Sequence, residues 1–204
     1  AAVYLGAILV PAWIVVYHAL SHRLLSNGSA GWYGPGEIVT RLAALGAVIV
    51  ATATMTGLGN ESGIESSIRE FLEASLSQLI PVGAGEPGAE MVDRLVPLFP
   101  AFAMISWLAM LTINATLAQG LLVKRGMALR ASPHYRSIEV PEWAYWAIVV
   151  TAAVKLVSSG DIEFLAQNVT MVLAVPFFFV GLAVVHSLAT RLTTPAVGLT
   201  IFYI

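Results

Sequence analysis

Trp143-Ala144-Tyr145-Trp146-Ala147-Ile148-Val149-Val150-Thr151-Ala152-Ala153-Val154-Lys155-Leu156-Val157-Ser158 decides the fold class of this chain. It is almost wholly apolar, and Ala147-Ile148-Val149-Val150 shows no alternation of apolar and polar residues. A membrane β-strand needs that alternation, so a closed barrel is excluded and a helix remains. Four longer or comparable stretches share the character: Ala1 to about Leu20, Ile38 to Leu58, Val96 to Val123 and Ile162 to Leu188. A hydrocarbon core of roughly 30 Å needs about 20 such residues per helix. A sixth stretch opens near Pro195. The expected fold is therefore all-α, a polytopic transmembrane helix bundle of about six spans. It forms a single transmembrane domain over residues 1–204.

Composition agrees. Of 204 residues, 58% are hydrophobic and 11% charged, and the mean hydropathy is +0.83. A soluble domain carries about 25% charged residues, so a water-covered globular enzyme is excluded. The net charge of −2 removes a nucleic-acid partner, and the lack of cysteine removes thiol and disulfide chemistry. The chain opens and closes inside apolar runs, without an initiator Met or a charged leader segment. This reads as an interior fragment of a longer chain.

Charge sets the expected topology. Arg23, Arg41, Lys124, Arg125, Arg130, Arg136 and Arg191 fall on one side of the spans, and Arg69, Arg94 and Lys155 on the other. The seven-to-three division makes the first side cytoplasmic by the positive-inside rule. The loop 124–142 is then cytoplasmic and the segment 59–95 periplasmic. Within that segment Ile64, Ile68, Phe71, Leu72, Leu76, Leu79 and Ile80 form one apolar stripe at helical spacing. Ser62-Gly63-Ile64-Glu65 opens it as a capping box, and Pro81 ends it. Its polar face, Glu65, Arg69, Glu70 and Glu73, is acidic on balance, which favours packing on protein over anionic lipid. Gly83-Ala84-Gly85-Glu86-Pro87-Gly88 reads as a flexible link to the next span.

Catalytic signatures are absent: no His-Glu-x-x-His, no Gly-x-Ser-x-Gly and no phosphate-cradling loop. The expectation is a protein that is not an enzyme, with no catalytic residues, no metal site and no cofactor. Asn114-Ala115-Thr116 and Asn168-Val169-Thr170 match the glycosylation sequon but lie inside spans. His18 and His186 share one leaflet, where capping a helix end is preferred to holding a haem.

Polar groups inside a bilayer are costly and so mark candidate sites. Thr52 and Thr56, with Thr54, end one span; Lys155 stands with Thr151 and Ser158; Gln167 and Asn168 begin another. Helix direction puts Thr52, Thr56, Lys155, Gln167 and Asn168 at similar depth in the outer leaflet, as a candidate ligand-binding set. Two readings stand for Lys155. It either meets an anionic ligand, or snorkels and pairs with Asp161 or Glu163. Asn114, Thr116 and Gln119 lie deeper and suit interhelical hydrogen bonding. Ala43, Ala47 and Ala51 form a small-residue stripe for close helix packing or partner docking, and Pro176 marks a kink.

The stretch Arg130-Ala131-Ser132-Pro133-His134-Tyr135-Arg136-Ser137-Ile138-Glu139-Val140-Pro141-Glu142-Trp143 resembles the YybS-like family of bacterial multispanning proteins, a domain of unknown function. Asn168 and the run Gly181-Leu182-Ala183-Val184-Val185-His186 are similar to that family's late motif, and the likeness covers about the last 110 residues. The resemblance implies a distant likeness to the substrate-binding S components of energy-coupling-factor transporters. It therefore implies a binding or transport role in the bacterial inner membrane, with an outward pocket. The alternative is an accessory subunit of a larger membrane complex, holding no small molecule. The partners expected are the lipid bilayer and other membrane proteins.

Overall fold

In a computed structural model of the chain the described residues are 5–24, 28, 30–57, 63–79, 85–130, 132–133, 138–191, 194, 199–200 and 202–204. The fold is an all-α bundle. A π-helical turn, Leu5–Leu9, leads into α1 (Val10–Leu20), with Pro11 in the first turn, where a missing N–H costs nothing. A short antiparallel hairpin follows, β1 (His22–Leu24) with β2 (Ala30–Trp32), in which His22 faces Trp32. Next come α2 (Pro35–Gly57), α3 (Gly63–Leu79) and α4 (Gly85–Leu95). A 3₁₀ turn, Val96–Leu98, leads into α5 (Phe99–Lys124), and α6 (Glu142–Val157) and α7 (Asp161–Ala189) complete the bundle.

Among the described residues three helical stretches are long and apolar enough to cross a membrane: Pro35–Thr56, Ala89–Lys124 and Asp161–Ala189. The sixteen residues of α6 reach only about 24 Å at 1.5 Å per residue. Their surfaces are the reverse of a soluble protein's. On α5 the exposed residues Met110, Ile113, Leu117 and Leu121 recur at steps of three and four, and on α6 Trp146, Val149 and Val150 are exposed. Apolar faces of this extent are untenable in water and well solvated by acyl chains. The stretch that opens near Pro195 lies largely outside the described residues.

The chain groups into two compact units. The first comprises Ala1–Ala43, Leu108–Tyr145 and Ala174–Ile204; the second comprises Ala44–Trp107 and Trp146–Leu173. In the second, α3 packs on α4 through part of its apolar stripe, Ile68 and Leu72, while Phe71 stays exposed. Leu72, Val92 and Val96 are buried together, flanked by Ile68, Leu95 and Phe99. An Arg69–Asp93 ion pair at 2.5 Å joins the same two helices. Both side chains are well exposed, so burial of the leucine and valines is the larger stabilising term.

Two expectations need comment. The capping box at Ser62, together with the Leu76, Leu79 and Ile80 side chains, lies outside the described residues. The flexible link does not extend to Gly88, because α4 already begins at Gly85. Pro87 is tolerated in a first turn, and buried Val92 with partly buried Leu95 then supplies the face that packs on α3. Tertiary burial outweighs the weak helix propensity of the two glycines.

Candidate functional site

The five residues singled out in the sequence all belong to the second unit. Thr52 and Thr56 are exposed on α2. Each donates its hydroxyl to its own helix, Thr52 to the Val48 carbonyl at 2.8 Å and Thr56 to that of Ala53 at 2.9 Å. Such back-bonding is the ordinary fate of a threonine in an apolar helix. Lys155 and Gln167 are half-buried. Among the described residues no ion pair joins Lys155 to Asp161 or Glu163.

Asn168 is different, for it is completely buried and its amide is saturated. Its Oδ1 accepts from the Ala101 N–H at 2.9 Å, and its Nδ2 donates to the carbonyls of Pro97 and Phe164, both at 2.9 Å. Pro97 and Ala101 stand four apart, the spacing of an α-helical N–H···O=C pair. The carboxamide inserts between them and satisfies both, just where the 3₁₀ turn gives way to α5. First-turn N–H groups have no intrahelical partner, and burial without one would be expensive. Asn168 thus acts as a cap delivered from another helix.

A cavity of about 840 Å³ lies wholly within the first unit. None of the five residues lines it. One wall is the α1 face Ala12, Val15, Val16, Ala19 and Leu20, at steps of three and one. The start of α2 supplies Ile38, Val39 and Leu42. From α7 come Pro176, Phe179, Leu182, Ala183 and His186, a single helical face. The half of α5 beginning at Leu111 closes the remaining side, and exposed Met127 and Leu129 bring the cavity to the surface of the unit.

Six polar side chains interrupt these apolar walls: Thr112, Asn114, Thr116, Gln119, Arg130 and His186. Arg130 fastens the site together. Its Nη1 donates to the Ala19 carbonyl in the last turn of α1 at 2.9 Å and to the Tyr33 carbonyl at 3.2 Å, and its guanidinium lies 5.5 Å from the Trp32 ring centre. A cation on the orphan carbonyls of a helix C-terminus is favourable there. Gln119 donates to the Arg130 carbonyl at 3.4 Å, and His18 packs edge-on against Tyr33. The β-hairpin, α1 and the loop after α5 are thereby held at one end of the cavity.

In the sequence Arg130 marks topology and opens the family-like stretch, and Thr112 has no assigned role. The available signal was the spacing of Thr112, Thr116 and Gln119 at i, i+4 and i+7, which places three polar groups on one face of an apolar helix. Among the described residues no group of three or more His, Asp or Glu side chains is placed to hold a metal ion.

Comparison with curated proteins and with solved structures returns no match. A family model does match, over residues 37–204, which takes in the second hairpin-flanking helix onward and most of the cavity walls. On that match the chain belongs to the family described as predicted membrane protein (DUF2232), of which the YybS-like resemblance in the stretch leading into α6 and in α7 was the visible part.

Proposed function

We propose that this protein is a non-catalytic, multi-pass component of the bacterial inner membrane. In this reading it binds one small apolar molecule in the cavity of its first unit, as a binding or transport component. The observation that carries the reading is the cavity itself. Its volume of about 840 Å³ and its apolar walls with a few polar groups match the usual character of small-molecule sites, roughly 300–1,000 Å³. The set of Thr52, Thr56, Lys155, Gln167 and Asn168 is not part of this proposal, because none of the five lines the cavity, and the Asn168 amide is already bonded on both ends.

Mass spectrometry of the intact protein released from lipid nanodiscs tests it. One bound molecule per chain is expected in the parent, and at least fivefold lower occupancy in Ala115→Trp and in Ala118→Trp, which fill the α5 wall. Equal occupancy in parent and variants, or none in the parent, overturns the reading in favour of an accessory subunit without a ligand.

In the same proposal the cavity lies toward the cytoplasm, a reading that Arg130 in its lining supports by the positive-inside rule. The chain has no cysteine, so labelling is free of background. An impermeant maleimide added outside intact cells should modify Glu90→Cys at once and Ser132→Cys only after permeabilisation. The opposite pattern would invert the topology.

A further inference from the structure

We infer that the molecule this cavity takes is a neutral long-chain alcohol: a hydrogen-bond donor at one end of a large apolar body. The inference rests on the cavity being a binding site, as proposed above, and on how its polar side chains have already used their protons. The Thr112 hydroxyl donates to the Leu108 carbonyl at 2.8 Å, and the Thr116 hydroxyl to the Thr112 carbonyl at 2.8 Å. A hydroxyl has one proton, so both threonines turn only oxygen lone pairs to any further partner. His186 places Nδ1 2.8 Å from the Leu182 carbonyl. A carbonyl only accepts, so Nδ1 carries a proton, and in the imidazole tautomer with its proton there Nε2 is an acceptor.

Gln119 has committed one of its N–H bonds to the Arg130 carbonyl and keeps its Oε1. Asn114 can act in either sense and does not discriminate. Acceptors therefore predominate among the polar groups of the lining.

A carboxylate or phosphate head would bring more acceptors to a wall already rich in them. Arg130 brings a positive charge that favours such a head as much as it disfavours a cation. Its Nη1, however, points at the carbonyls of Ala19 and Tyr33 and its plane meets Trp32, so that Nη1 is not the donor the extra acceptors would need. An ammonium head would supply donors, but beside a guanidinium it meets like charge in a medium of low dielectric. A neutral hydroxyl meets neither penalty. It donates to a threonine oxygen, to Gln119 Oε1 or to His186 Nε2, and leaves an aliphatic or isoprenoid chain against α1 and α7.

The experiment uses the full chain in phosphatidylcholine nanodiscs and two photoreactive probes of one chain, a diazirine-bearing hexadecanol and the corresponding hexadecanoic acid. After irradiation at pH 7.5, labelling is mapped by peptide mass spectrometry. The alcohol should label the lining peptides of α5 and α7 at least fivefold more than the acid. Excess unlabelled hexadecanol or farnesol should compete, and whichever competes better tells a straight chain from an isoprenoid one. The double variant Gln119→Leu/His186→Phe should bring the alcohol-to-acid ratio near one while labelling persists.

Acid labelling equal to or above alcohol labelling in the parent overturns the inference and leaves the binding site standing. Labelling of both probes that is absent from the lining, or unchanged in Ala115→Trp, shows annular contact only and overturns the binding site as well. Should the double variant fail to fold, Gln119→Leu alone is expected to lower the ratio at least twofold, and an unchanged ratio counts against the inference.

Discussion

Replacing Asn168 by Leu should destabilise the protein by about 3 kcal/mol, read as a shift in the unfolding midpoint of micelle-solubilised protein titrated with a denaturing detergent. The substitution removes three hydrogen bonds and leaves the Ala101 N–H and the Pro97 carbonyl, two backbone groups bound by the amide, without it. Each net bond contributes roughly 0.5–1.5 kcal/mol, and a stranded buried group costs about 1–3. Asn168→Asp should be at least as damaging. The carboxylate keeps the acceptor for Ala101 but turns an oxygen toward two carbonyls that previously received protons. The adjacent Gln167→Leu, at a half-buried position, should move the midpoint by less than about 1 kcal/mol. If Asn168→Leu behaved like Gln167→Leu, the interhelical cap at the start of α5 would not exist.

Substitution of Gly36 comes next in expected effect. A methyl group built on Gly36 would fall on the Glu139 carbonyl oxygen and lie 2.7 Å from Ile138 Cγ2. The first obstacle is backbone, which cannot swing aside, so the segment 138–140 must leave the start of α2 or the helix must shift. Overpacking of this kind costs about 1–3 kcal/mol for alanine and more for valine. Ile138 is also part of the cavity wall, so ligand occupancy should fall together with stability.

Gly46 supplies the contrast. A methyl there would lie 2.8 Å from Met104 Cγ and 3.3 Å from Val172 Cγ1, both side-chain atoms. Methionine is flexible and yields readily, and alanine gains up to about 1 kcal/mol over glycine in a helix interior. Gly46→Ala should therefore be close to neutral in thermal unfolding and Gly36→Ala clearly destabilised. The reverse order would show that the 138–140 segment does not pack on α2.

The helices themselves were legible because a bilayer leaves the backbone no other partner than its own chain. The stretch read as Trp143 to Ser158 is α6, Glu142–Val157, and the stretch read as Ile162 to Leu188 is α7, Asp161–Ala189. The amphipathic helix was equally visible, since a stripe at steps of three and four is a local property. Its burial on Val92 and Val96 was not, because the partner begins with Gly85, Pro87 and Gly88 and looks like a linker until its apolar face finds α3.

The site lay beyond sequence for a related reason. Asn168 was recognisable as a costly polar group in a span, but its partners Ala101 and Pro97 are 67 and 71 positions away. Nothing local distinguishes an amide that binds a ligand from one that caps another helix. Arg130 counted only as a positive charge in a loop until its guanidinium reached Ala19, 111 positions earlier. Hydropathy is summed along a chain and is written in the sequence. Which faces meet, and which polar groups spend their protons on each other, is decided by packing between segments remote in sequence, and so only by the tertiary structure.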